Sequence, residues 1–329
     1  MTTKSFDAPM QYTTLGRTGL KVSVAGLGCG GNSRIGQGGG LSTAQSVALV
    51  REALDLGVNF IDTAEAYGTE EIVGEAIKGR PRDSVIVSTK TQVTAAGAPK
   101  TADAMVASLE ACLRRLGTDY VDLFHLHGLA PAQYDHAIAE FVPALLREKQ
   151  KGKLRHLAVS ETGPRDPTHE MLERALRDQP PFEVVMLAFH MLNQNARPVV
   201  LKRTREAGVG TLCMFAVRNI FSKPGLLEQT IADLAAKGQL PASLAAEKNP
   251  LGFLIHDGGA ASLIDAAYRY ARHEPGIDVV LFGTSSAAHL RANIASILRP
   301  PLRAADVARL NETFAHLIGV GLDLPGPVK

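Results

Sequence analysis

The chain has 329 residues and is 45% hydrophobic, enough to bury a sizeable core as one large barrel or as two ordinary domains, between which composition alone does not choose. Its 35 basic and 33 acidic residues are spread along the chain for a formal charge of +2, so no stripe suggests nucleic acid or an anionic membrane surface, although small anionic ligands stay open. The N-terminal MTTKSFDAPM has no apolar signal-peptide core and no run approaches about eighteen uninterrupted apolar residues, so the expectation is a soluble, cytoplasmic protein, with oligomerisation left open.

From the N-terminus, TTLGRTGLKVSV reads as a short β-hairpin turning at Arg17-Thr18-Gly19, placed to plug the bottom of a barrel. Short apolar runs then alternate with longer amphipathic segments, the signature of repeated βα units rather than of a sandwich or a bundle. Strands are expected at Val24–Gly28, Asn59–Asp62, Val85–Lys90, Val121–His127, Leu154–Ser160, Val184–Ala188, Val209–Phe215 and Val279–Gly283. Eight is the strand number of a (β/α)8 TIM barrel. Helices are expected at Thr43–Leu56, Glu71–Ile77, Thr101–Leu116, Tyr134–Glu148, His169–Leu176, Val199–Glu206, Ala261–His273 and Ala287–Leu298, several with Ser, Thr or Pro near the start and Gly past the end. In Thr101–Leu116, Ala102, Met105, Leu109, Cys112, Leu113 and Leu116 recur every three to four residues and form a face to pack on the barrel, before Gly117 stops the helix.

Two stretches are too long for simple connections: Thr91–Lys100, rich in Ala and Gly, and 216–259, with Lys223-Pro224-Gly225 and a helix at Leu226–Lys237. Long loops on a barrel are where ligand selection resides. A domain boundary inside 216–259 is the rival reading, but that segment is too small for its own core. The expected organisation is a single barrel domain over 1–329 with an insertion-like loop at about 216–259.

The three cysteines, Cys29, Cys112 and Cys213, are widely spaced in apolar surroundings, as expected of buried thiols in a reducing compartment. Cys29, between Gly28 and Gly30, reads either as a small filler at a tight strand end or as a redox or nucleophilic group. Tryptophan is absent, so any substrate platform must use Phe, Tyr, Leu or Met.

Four polar residues sit where strands hand over to loops: Asp62 in FIDTAEAYG, Tyr67 five residues later, Lys90 closing VIVSTK and His127 closing VDLFHLH. In a closed parallel barrel the C-terminal strand ends converge on one mouth. Singly, Asp62 reads as a helix N-cap, Tyr67 as a packing tyrosine and His127 as a satisfied core histidine. Lys90 is harder to place as filler, because burying an ammonium is costly unless a carboxylate pairs with it, and Asp62 on the adjacent strand is the obvious partner. Together they are the raw material of a proton-donating site, in which a neighbouring lysine lowers the pKa of a tyrosine. His125, His127 and His190 lack the spacing of a metal site, so no metal is expected.

The chain resembles the aldo-keto reductases. The resemblance rests on Gly28-Cys29-Gly30 after the first strand, FIDTAEAYGTEEIVGEAI at 60–77, VIVSTK at 85–90, LRRLGTDYVDLFHLH at 113–127, LAVSETG at 157–163 and FGTSSAAHLRANI at 282–294, in family order over nearly the whole chain. It implies NAD(P)H-dependent reduction of a small aldehyde or ketone. The family's catalytic tetrad carries onto Asp62, Tyr67, Lys90 and His127: Tyr67 as general acid, Lys90 with Asp62 tuning it, His127 orienting the carbonyl. An NAD-dependent sugar or hydroxy-compound dehydrogenase is the close alternative, and a cofactor-binding, redox-sensing regulatory subunit the more distant one.

For the cofactor, the resemblance implies contacts from Gly28, Gly30, Asp62, Ser160 and Gly283, and two departures. Glu161 stands where the family has Asn and Met186 where it has Gln, both carboxamide partners; an ionised Glu161 can accept from that amide but not donate to it. Phe215 replaces the usual stacking tyrosine, and Phe189-His190 a Tyr-Asn pair. Arg218 and Lys223 are candidates for a pyrophosphate. At the adenosine end Ser285, His289 and Asn293 fall on the family's polar positions, without the Lys and Arg of many NADP-selective members, while the helix N-terminus after Ser286 offers free N–H groups. The implied cofactor is NADP(H), with NAD(H) as the alternative.

Overall fold

The computed structural model describes residues 8–178 and 181–323; residues 1–7 of the stretch read for a signal peptide lie outside them. An antiparallel hairpin, β1 (Tyr12–Thr14) and β2 (Lys21–Ser23), precedes the barrel. Its turn is a single 3-10 turn over Gly16–Thr18, closed by Gly19 at φ 74°. From this turn Leu15 enters the barrel floor with no exposed surface, and Arg17 N donates to Gly208 O at 2.6 Å. A Cβ on Gly210 would meet the Leu15 side chain at 2.8 Å, so the plug fits only over glycine.

The barrel strands follow: β3 (Ala25–Gly28), β4 (Phe60–Asp62) and β5 (Ile86–Gln92). A small outer hairpin, β6 (Thr94–Ala95) and β7 (Ala98–Pro99), occupies part of the stretch read as a plain loop. The barrel resumes with β8 (Val121–His127), β9 (Leu154–Ser160), β10 (Val184–Ala188), β11 (Gly210–Met214) and β12 (Val279–Phe282). All eight pair in parallel and close, β12 against β3, which is the expected (β/α)8 barrel.

Side chains alternate across each strand, so every second residue points inward. Phe60, Ile86, Leu123, Ala158, Val184, Met186, Leu212 and Val279 form an inner apolar cluster with Leu15. One step further along the same faces come Asp62, Ser88, His125 and Ser160. The register sets Gly28 beside Asp62 and Asp62 beside Ser88, with Lys90 beside His125 and Gln92 beside His127. Polar chemistry thus begins where the apolar fill ends, toward the C-terminal strand ends.

The outer helices bury the faces that periodicity marks. In Ala102–Leu116 these are Met105, Leu109, Cys112, Leu113 and Leu116; Thr101 caps the start by accepting from Ala104 N and Gly117 ends it at φ 62°. Two helices widen to π turns, at Ala137–Phe141 just before Pro143 and at Arg197–Leu201 around Pro198, where proline has no N–H to give the regular ladder. The segment 216–259 contains helices at Asn219–Ser222, Leu226–Ala236 and Ala242–Ala245. Beyond the barrel runs a helix at Ala304–Phe314, absent from the expected elements. Among the described residues no helix is long and apolar enough to cross a membrane.

Candidate active site

Lys90 lies at the centre of the barrel mouth without exposed surface. Its Nζ donates to Asp62 Oδ1 at 2.6 Å, Asp62 Oδ2 at 2.7 Å and Thr63 O at 2.8 Å, so all three ammonium hydrogens have acceptors. Burial works against the charge, but the Asp62 carboxylate outweighs it, with help from Tyr67, and holds Lys90 above the usual lysine range. Asp62 is therefore no helix cap: the 3-10 turn that carries Tyr67, Glu65–Tyr67, starts from Ala64.

Tyr67 sits over this pair, its ring centroid 5.0 Å from Lys90 Nζ. Burial pushes its phenol up from the ordinary tyrosine value, and Lys90 pulls it back only in part. The expected net lowering by lysine is thus corrected: Lys90 offsets a burial effect that is larger, and the phenol stays protonated over a wide pH range. The His127 ring meets Tyr67 edge-on, centroids 5.5 Å apart at 89°. Burial and then Lys90 pull His127 down to about 3, so at neutral pH it is an uncharged imidazole, and its Nδ1 has no partner among the described residues. It can offer one neutral N–H to an oxygen, not a second positive charge.

A cavity of about 330 Å³ opens beside Tyr67, lined among others by Gly28, Gly30, Asp62, Met186, Phe215, Arg218 and Gly283 from the expected set, and by Asn32, Ser33, Asn219, Ser222 and Tyr268, which sequence reasoning did not single out. Gly283 is tight as well as permissive, since a Cβ there would meet Ser33 Oγ at 3.0 Å. Phe215 holds a left-handed φ of 69°, an unusual state for an aromatic residue and one that concentrates at functional sites. Arg218 stacks on its ring, 4.2 Å from the centroid, and is tied to Asp323 through a 2.7 Å bond to Oδ2 and a second contact to the Asp323 carbonyl. Asn219 Nδ2 donates to the same carboxylate at 2.6 Å. The guanidinium expected to meet a pyrophosphate thus has a carboxylate partner from the C-terminal segment.

Glu161 departs from its expected place. It is not among the residues that line the cavity; Oε1 accepts from Ala188 N at 2.7 Å and Oε2 lies 2.7 Å from His169 Nδ1, so both oxygens are already engaged by partners within the protein. Burial raises the Glu161 pKa against the opposing pull of His169. His169, despite burial, is held above its ordinary value by Glu161. The signal was not local: His169 is eight residues away, in a left-handed turn at φ 61°. Ser160 Oγ accepts from Gly128 N at 2.8 Å. At the far end Ser285 and His289 are exposed, Asn293 Nδ2 reaches Gly283 O at 3.3 Å, and Ser286 caps the helix Ala287–Leu298 through His289 N. Arg291 turns away to Glu52. Lys223 is exposed and is not among the cavity-lining residues.

The three cysteines are buried free thiols, and burial, then Asp62, holds Cys29 well above the usual thiol range, which disfavours a nucleophile. Among the described residues no cluster of three metal-ligating side chains occurs.

A family model described as the Aldo/keto reductase family matches residues 26–314. The L-galactose dehydrogenase of Arabidopsis thaliana is 30% identical over 318 residues, covering 94% of each chain. Aldo-keto reductase YhdN of Bacillus subtilis (strain 168) is 28% identical over 340 residues, 97% of this chain and 98% of that one. Among solved structures, the holo form of aldo-keto reductase AKR11C1 from Bacillus halodurans superposes with a TM-score of 0.71 at 22% identity, over 95% of this chain and all of that one, and carries the likeness of fold. With the barrel and the match over nearly its whole length, the chain belongs to the aldo/keto reductase family of oxidoreductases.

Proposed function

We propose that the protein reduces an aldehyde or ketone to an alcohol, with Tyr67 as the proton donor. The observation that carries this reading is the fully bonded Lys90–Asp62 pair beneath a half-buried tyrosine that lines the cavity. A nicotinamide cofactor, when bound, supplies the hydride. The residues present suit one: Gly28, Gly30 and Gly283 line the cavity without side chains, Arg218 and Asn219 offer donors for a diphosphate, and the capped start of Ala287–Leu298 offers N–H groups to a phosphate. Charge building on the substrate oxygen is met by the Tyr67 hydroxyl and by the neutral His127 N–H, while the fixed Lys90 charge favours the phenolate that Tyr67 becomes. NADP(H) is the favoured cofactor on the family resemblance, with exposed Ser285 and His289 as the polar side chains proposed to receive a 2′-phosphate and NAD(H) as the alternative. In that arrangement His289→Ala weakens NADPH binding more than NADH binding.

A second reading is oxidation of a sugar or other hydroxy compound by the same residues run in reverse, favoured by 30% identity to an L-galactose dehydrogenase over 94% of the chain. Steady-state assays with both cofactors against carbonyls and against aldoses decide the direction. Tyr67→Phe should keep cofactor affinity and lose at least about 100-fold in turnover. Near-wild-type turnover by that variant would overturn Tyr67 as proton donor.

A further inference from the structure

Two buried side chains lie just below the tetrad and belong to none of its assigned roles. Ser88, level with Asp62 on the neighbouring strand, donates its hydroxyl to Asp62 Oδ1 at 2.9 Å. On its other side the same oxygen lies 3.0 Å from His125 Nε2. Neither Ser88 nor His125 has any exposed surface.

The direction of this chain follows from counting hydrogens. Ser88 has one hydroxyl hydrogen, and the Asp62 carboxylate, paired with Lys90, can only accept it. Ser88 must then accept from His125, which places the hydrogen of that ring on Nε2. Burial, then Lys90 and His127, pull His125 well below the ordinary histidine range, so it is a neutral ring with a single N–H to give. The result is one oriented line across β8, β5 and β4: His125 N–H to Ser88, Ser88 O–H to Asp62, and Asp62 to the Lys90 ammonium.

We propose that Ser88 and His125 are positioning residues, an oriented hydrogen-bond line that fixes the Asp62 carboxylate against Lys90 and so sets how much of the lysine charge reaches Tyr67. This rests on the reading of Tyr67 as proton donor. A serine hydroxyl turns freely about its Cβ–Oγ bond, and His125 removes that freedom by holding the oxygen from the far side. With Ser88 in line, Asp62 Oδ1 is shared between two donors while Oδ2 serves Lys90 alone. Without it the carboxylate concentrates its charge on the ammonium and can rock in its pocket. Less positive charge is then available beneath the phenol, and the lysine is less firmly placed.

The test compares Ser88→Ala, His125→Leu and His125→Gln, each made in the wild-type protein and again in Tyr67→Phe, with kcat, KM and thermal unfolding measured for all. The expected result is a loss of about tenfold to a hundredfold in kcat for Ser88→Ala and His125→Leu with KM little changed, the scale of a slightly misplaced catalytic group. His125→Gln, whose amide can donate to Ser88, recovers most of that loss. In the Tyr67→Phe background the same substitutions cost nothing further, because the group through which they act is gone. Wild-type kcat in Ser88→Ala, or an equal fractional loss with and without Tyr67, overturns the proposal and leaves the proton-donor reading standing. Full activity in Tyr67→Phe alone removes that reading and the positioning role with it. Should His125→Leu fail to fold, Ser88→Ala and His125→Gln still decide.

Discussion

Gly30 lies flat against the ring of Tyr67: a Cβ built on Gly30 would stand 2.5 Å from two ring carbons. The first loop of the barrel and the candidate proton donor are therefore shaped to one another, and the missing side chain is a steric requirement rather than a matter of backbone freedom, since φ at Gly30 is not in the left-handed range. Gly30→Ala should displace the Tyr67 ring by about an ångström, the distance needed to bring that contact back to ordinary van der Waals separation. The expected outcome is a fall in kcat of about tenfold to a hundredfold in a protein that still folds, because a misplaced reacting group is that costly. Kinetics beside circular dichroism and thermal unfolding check it, and unchanged kcat would show that the ring has room to yield.

Lys90→Met should be costly to stability as well as activity. It leaves Asp62 buried and without its cation, for which a loss of about 3–5 kcal/mol is expected. Adding Asp62→Leu should return much of that stability and none of the activity. Denaturant titrations of the single and double variants make the comparison; equal destabilisation in both would mean that packing, not charge, dominates the site.

The pair Glu161–His169 predicts a pH dependence of folding. His169 has a folded pKa above its unfolded value of about 6.5, so its contribution is complete below that value and is lost as pH rises through the folded one. Glu161, also displaced upward, acts in the same direction. Each unit of displacement corresponds to about 1.4 kcal/mol. Urea midpoints should therefore fall from mildly acidic to alkaline pH more steeply in the wild type than in His169→Gln. Parallel curves for the two proteins would remove the pair as a source of that slope.

Asp323→Asn should tighten cofactor binding roughly threefold to tenfold, since a partly exposed ion pair with Arg218 is worth about 1 kcal/mol and an incoming phosphate competes with it. Arg218→Ala should weaken binding. Calorimetric Kd values for both variants are the measurement, and a weaker complex with Asp323→Asn would show that the carboxylate supports the bound state.

Much of this architecture is legible in the sequence because apolar runs with abrupt polar ends fix both extent and facing. Val121–His127, Leu154–Ser160 and Val184–Ala188 have the observed bounds of their strands, and Ser286 marks the start of the helix ending at Leu298. The helix Ala304–Phe314 escaped because only Leu310 and Phe314 are buried in it, too sparse a stripe to register as a period. The hairpin β6–β7 is short and rests on a turn through Ala96 and Gly97, both at positive φ, among residues of low strand propensity. Asp62 and Lys90 could be paired on paper because burying one charge demands another. Ser88 and His125 stand two residues before Lys90 and His127 and share their inward faces, so alternation could have placed them inside. Their contact depends on register across three strands, which no single strand carries. The turn of Glu161 toward His169 needed the loop conformation itself.

The three bonds that hold Lys90 also guard it against a side reaction. A protein that handles aldehydes beside a lysine runs the risk of condensing the two into an imine, which needs a neutral amine with a free lone pair. Lys90 is kept charged by Asp62, with every hydrogen committed and no surface open to solvent. The arrangement that supplies a positive charge to the mouth of the barrel thus also makes that lysine chemically silent toward any carbonyl compound that enters it.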